Sequence, residues 1–97
     1  MPEDKREEYE SAIIKIIKNK VEPDYKDKVT LEATFEKDLG LDSLERVELS
    51  IDLNEHFDLH IPDTITSTFT TGRKVVDYLI DPQDYISRNN IVLTPKG

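Results

Sequence analysis

Cysteine is absent from the 97-residue chain, which excludes disulfides and thiolate metal sites. The same absence suits a reducing compartment. Long apolar runs are missing too, and nothing approaches the roughly 20 residues needed to cross a bilayer. The start, Met1-Pro2-Glu3-Asp4-Lys5, is charged from the outset and has no apolar stretch of the kind a secretory leader carries. The expectation is a cytoplasmic, soluble domain without membrane insertion. Histidine is scarce, with only His56 and His60. At this length one domain fits, and it hides only about 60–65% of the surface its unfolded chain exposes. A limited core leaves little room for a deep walled pocket, which favours a carrier, a binding module or a small regulator over an enzyme.

Positive charge is also in short supply. Thirteen lysines and arginines face 21 acids, for a net charge of −8. The imbalance is local. Residues 1–35 hold nine acids and seven bases, residues 36–60 hold eight and two, and residues 61–97 hold four of each. Most of the negative field therefore arises from about a quarter of the chain. Such a field repels nucleic acid and anionic lipid and steers basic protein surfaces toward itself.

Periodicity gives helices. From Glu3 to about Lys20, Tyr9, Ala12, Ile13, Ile16 and Ile17 recur at helical spacing, acids crowd the first turns and lysines the last. Pro23 ends this helix. Residues 22–41 form a long connection in which Val29, Leu31, Phe35, Leu39 and Leu41 are expected to pin the loop to the surface, and Gly40 to supply a positive φ or a close backbone approach. Asp42 is an N-cap with Glu45 three residues on, so a second helix runs to about Phe57 with Ser43 at its first position. That helix has two apolar stripes. Leu49, Leu53 and Phe57 form the core face. Leu44, Val47 and Ile51 form another, flanked by Glu45, Glu48, Asp52 and Glu55. The second stripe is either a partner-binding face or a surface covered by the long loop or the last helix. Crowded acids on this helix lead us to expect divalent cations to bridge pairs such as Glu48 and Asp52. The β-branched run 63–71 allows only a short helical turn. Thr71 then caps a last helix from Gly72 to about Ile80, and Pro82 stops it.

The stretch Asp38-Leu39-Gly40-Leu41-Asp42-Ser43-Leu44-Glu45-Arg46-Val47-Glu48-Leu49, followed by Phe57 and Ile61-Pro62-Asp63, resembles the acyl carrier proteins of fatty acid and polyketide synthesis. The family motif Asp-Ser-Leu stands here unaltered as Asp42-Ser43-Leu44, and the resemblance runs from about Glu7 to Leu79. It implies an all-α fold, a small up-down four-helix bundle with three major helices, one short helix and a long first loop. It implies a non-catalytic carrier over residues 1–80, with residues 81–97 as a tail of unassigned role, either disordered or docked. Ser43 would carry 4'-phosphopantetheine, transferred from coenzyme A by a separate phosphopantetheinyl transferase, with Asp42 assisting that enzyme and Leu44 beside the arm. With no cysteine in the chain, any thioester must use the thiol of such an arm. Glu45, Glu48, Asp52 and Glu55 match acids that meet basic patches on acyl-chain synthesis and transfer enzymes, and Val47 and Ile51 match apolar contacts. The acyl chain would shelter against Leu53, Phe57 and Leu79. Arg46 departs from the pattern by placing a positive charge on the recognition helix. A free-standing monomer is expected, with fatty acid, polyketide, specialised lipid or amino-acyl cargo all open.

Three rivals compete with this reading. Gly40-Leu41-Asp42-Ser43-Leu44 superficially resembles the Gly-Asp-Ser-Leu esterases, but it carries an inserted leucine, and both histidines lie a helix length from Ser43. A calcium loop starting at Asp38 fails at its sixth and twelfth positions, which are Ser43 and Leu49. An unmodified protein-interaction bundle is the third.

Overall fold

A computed structural model describes residues 2–92. Among the described residues five α-helices follow one another: α1 (Pro2–Lys20), α2 (Ser43–Phe57), α3 (Asp63–Thr66), α4 (Gly72–Ile80) and α5 (Pro82–Arg88). A short 3-10 helix, Pro23–Lys28, lies in the first connection. The only β pairing among the described residues is one isolated antiparallel bridge between Thr34 and Thr71. The all-α bundle with three major helices and a short α3 is as expected.

α1 packs against both α2 and α4, and α4 against α5. Ile13, Ile16 and Ile17 of α1 are buried against Leu49 and Leu53 of α2, Ile65 of α3 and Val75 and Val76 of α4. These are the residues that the helical period selects. Tyr9 is half-buried and meets Phe57 edge-on at 5.7 Å.

The long loop is pinned as its apolar residues require. Val29, Leu31, Phe35, Leu39 and Leu41 are all buried. Buried loop backbone needs partners, and it finds them at the start of α4. The Phe35 amide donates to the Thr70 carbonyl at 2.9 Å, and the Arg73 amide donates to the Leu31 carbonyl at 2.7 Å. The Arg73 side chain reinforces the seam by reaching Glu10 of α1 at 2.8 Å and Glu32 of the loop at 2.9 Å.

Gly40 does adopt a positive φ, +70°. A β-carbon built there would lie 3.2 Å from Cζ of Tyr25. Gly40→Ala is therefore expected to cost about 1–2 kcal/mol from the left-handed backbone alone. For a domain of this size a loss of 1 kcal/mol is about 4–8 °C in melting temperature, which thermal denaturation reads directly.

The prolines do more than terminate helices. Pro23 opens the 3-10 helix and Pro82 opens α5, because a residue at the first helical position needs no amide donor and proline presets its φ. Asp81 closes the joint, its side chain accepting from the Asp84 amide at 3.1 Å. The tail, left open between disorder and docking, is docked over α5. Tyr85 is only 1% exposed and stacks edge-on against Phe69 and Tyr78, each at 5.8 Å. Its hydroxyl lies 2.6 Å from Oγ1 of Thr68. Ile86 and Ile91 are partly buried beside the core, and residues 93–97 lie outside the described residues.

Candidate functional site

Everything that places Ser43 is local. Asp38 closes a turn on Thr34, its Oδ2 accepting from the Thr34 amide at 2.9 Å. Leu39 and Leu41 are then buried on either side of the left-handed Gly40, so the chain turns sharply and delivers Asp42 in an extended conformation. Oδ1 of Asp42 accepts from the Glu45 amide at 2.9 Å, and Oε1 of Glu45 accepts from the Asp42 amide at 3.1 Å. This is a complete capping box. Ser43 follows at the first helical position with its side chain exposed and its hydroxyl bonded to no other described residue. The amides of Ser43 and Leu44 belong to the first turn, which has no intrahelical acceptor, and they sit at the positive end of the helix. An anion joined to the Ser43 oxygen would meet those donors.

The second apolar stripe is uncovered. Leu44, Val47 and Ile51 are 67%, 56% and 52% exposed, so neither the long loop nor the last helix lies over them. Three large apolar side chains in a row on a small surface are the shape of a docking face. The acids beside them are not all free, however. Glu45 is engaged in the cap. Glu48 and Asp52 lie one turn apart on α2, and Nζ of Lys20, at the end of α1, reaches both, at 3.8 Å and 2.9 Å. The hydrogen bond that the Lys20 ammonium donates to Asp52 holds it above the ordinary lysine range, against the opposing effect of desolvation. A lysine of the chain itself thus already stands between Glu48 and Asp52, and no group of three or more acids or histidines suited to a metal occurs among the described residues. Glu55 is exposed and unpaired among the described residues.

Beside Ser43 opens a cleft of about 410 Å³ between α2 and the α3 segment. Phe35, Leu49, Leu53 and Phe69 give it an apolar floor, and Ser43, Arg46, Ser50, Asp63, Thr66 and Ser67 lie along its polar rim. Leu53 lines this cleft. Phe57 and Leu79 do not: Phe57 is turned toward Tyr9 and His56. Arg46 is folded back across the rim, its guanidinium 3.3 Å from Glu36 and 3.5 Å from the Phe69 carbonyl. Its charge is thus partly spent inside the molecule. Phe69 is the wall residue that the sequence concealed, set in a threonine-rich run without helical period. His56 stands thirteen positions along α2 from Ser43, about 20 Å at 1.5 Å per residue, so it cannot take a proton from the serine.

The family model for the phosphopantetheine attachment site matches residues 15–79. The chain belongs to that family. Membership brings covalently bound 4'-phosphopantetheine, and the exposed hydroxyl, the two free amides and the adjacent cleft fit such a group. Curated relatives point the same way. The "Acyl carrier protein" of Cyanidioschyzon merolae is 44% identical over 59 residues, which is 61% of this chain and 65% of that one. The "Acyl carrier protein, mitochondrial" of Saccharomyces cerevisiae is 34% identical over 82 residues, 81% of this chain and 66% of that one. The chain thus spans just under two thirds of the length of each. The matched region of the family begins at Lys15, within α1, and closes at Leu79, so α5 lies beyond it.

Proposed function

We propose that the protein is an acyl carrier that holds acyl groups as thioesters on a 4'-phosphopantetheine arm joined to Ser43, and presents them to acyl-chain synthesis and transfer enzymes. The observation that carries this reading is the Ser43 hydroxyl: exposed, unbonded, at the start of α2 and on the rim of an apolar-floored cleft. The arm supplies the thiol that a chain without cysteine cannot. Ser43 supplies the attachment oxygen, the first turn of α2 supplies donors for the phosphate, and the cleft floor offers shelter to an apolar chain. Leu44, Val47 and Ile51, with Glu45, Glu48, Asp52 and Glu55 beside them, form the surface that a basic partner meets. A phosphopantetheinyl transferase is the first such partner.

Incubation with coenzyme A and a broad-specificity transferase should add one arm, read by intact mass, and peptide mapping should place it on the Ser43 peptide. An arm on any other residue, or none, overturns the reading.

A further inference from the structure

The acids of α2 stand in a row, yet their charge is unequally available. Lys20 comes from a different helix and puts one ammonium between Glu48 and Asp52, with its side chain 21% exposed and theirs 51% and 39%. It occupies the position that an arginine or lysine of a docking partner would need. The two carboxylates stay about half in solvent although the lysine is mostly covered, so the contact is open to exchange and screened by salt. A partner cation can replace it, but only by displacing a charge of the same sign. Glu55, one turn beyond Asp52, carries no such internal counter-ion among the described residues.

We propose that Lys20 is a built-in competitor at the docking face, which holds Glu48 and Asp52 until a basic partner displaces it and so sets how tightly such partners bind. The inference rests on the carrier reading above. It assigns α1 a part in partner choice although α1 contributes nothing to the apolar stripe. Partners that place their cations at Glu55 meet an open site, whereas partners that place them at Glu48 and Asp52 must evict Lys20.

The test uses the full chain, coenzyme A and a phosphopantetheinyl transferase, with arm addition followed by intact mass at several carrier concentrations. Lys20→Gln should lower the KM for the carrier about two- to five-fold at low salt, the range that one exposed ion pair spans. The gain should fade as salt approaches the physiological range, where screening acts within about 8 Å. Lys20→Arg keeps the charge and should withhold the gain. The decisive measurement is a cycle: Asp52→Asn should raise KM more in the Lys20→Gln background than in the native one, because only there is Asp52 free to meet the partner. Circular dichroism melts confirm that each variant is folded. Equal KM for Lys20→Gln and wild type, or an Asp52→Asn effect that is the same in both backgrounds, overturns the inference and leaves the carrier reading intact. Failure of the wild type to accept an arm overturns the carrier reading instead.

Discussion

Ser43→Ala should accept no arm under conditions that convert the wild type completely, while its stability stays within about 0.5 kcal/mol, as for other surface changes that break no contact. Both halves follow from the same geometry. The Ser43 hydroxyl is exposed and bonded to no other described residue, so its removal orphans nothing. The helix start does not depend on it either, because the cap is built from Asp42 and Glu45. The other serine hydroxyls on the cleft rim are poor substitutes. Oγ of Ser50 donates to the Arg46 carbonyl at 3.2 Å, and Oγ of Ser67 donates to the Thr64 carbonyl at 3.3 Å. Each is turned back onto its own helical turn. Intact mass and a thermal melt on the same sample decide the matter. Residual modification moves the attachment site, and loss of arm together with loss of fold leaves Ser43 without the free, purely chemical role described here.

The largest stability effect is expected at Tyr85, seven residues from the end of the described chain, in a segment that carries no helical period of its own. Tyr85→Ala should cost about 3–5 kcal/mol, the range for deleting a buried aromatic. Total stability for a small domain starts near 5 kcal/mol, so this change should bring the fold close to collapse. The reason is the three-ring cluster: Tyr85 packs edge-on with both Phe69 and Tyr78, and Phe69 in turn floors the cleft beside Ser43. Tyr85→Phe keeps the rings and loses only the bond to Thr68, and should cost about 1 kcal/mol. The hydroxyl also gives the fold an alkaline signature. Burial pushes the Tyr85 phenol up, the Thr68 hydroxyl offsets part of that, and Asp77 adds to it. A folded-state value raised above the unfolded one means the native state holds its proton more tightly. That stability is fully present below about pH 10, the ordinary tyrosine value, and is lost as pH climbs through the raised one. Urea denaturation at neutral and alkaline pH measures both effects, and the phenylalanine variant should flatten the alkaline loss. A change within 0.5 kcal/mol for Tyr85→Ala, the range for surface positions, would make α5 a dispensable appendage.

The parts of this molecule that were legible in its sequence are those fixed within one or two turns of chain. The Asp42 cap, the position of Ser43, the left-handed Gly40 and the two stripes of α2 all depend on spacings of three or four residues, which the sequence displays openly. Phe35 and Leu39 were readable as loop anchors because an apolar residue in a polar connection has nowhere else to go. What was hidden depends on how distant segments meet. The Lys20 contact needs the register of α1 against α2, about 30 residues apart along the chain. The cleft wall at Phe69 needs the threonine-rich connection to fold over α2. The resemblance placed Phe57 and Leu79 beside the cargo, but which gap an inward side chain lines depends on packing, and neither lines the cleft next to Ser43. α5 was missed for a simpler reason: Pro82 was read only as a stop, although a proline after an aspartate cap is equally a start.

The seam between the long loop and the start of α4 has a consequence for the order of events during synthesis. The amide of Phe35 waits for the carbonyl of Thr70, and the carbonyl of Leu31 waits for the amide of Arg73. A ribosome extends the chain from its N-terminus, so Ser43 is made roughly 30 residues before the segment that locks its approach loop in place. At about 5–20 residues per second, that interval is about 1.5–6 s. During it the serine and its capping residues exist on a chain whose loop is still unfastened, and the surface around them has not yet formed.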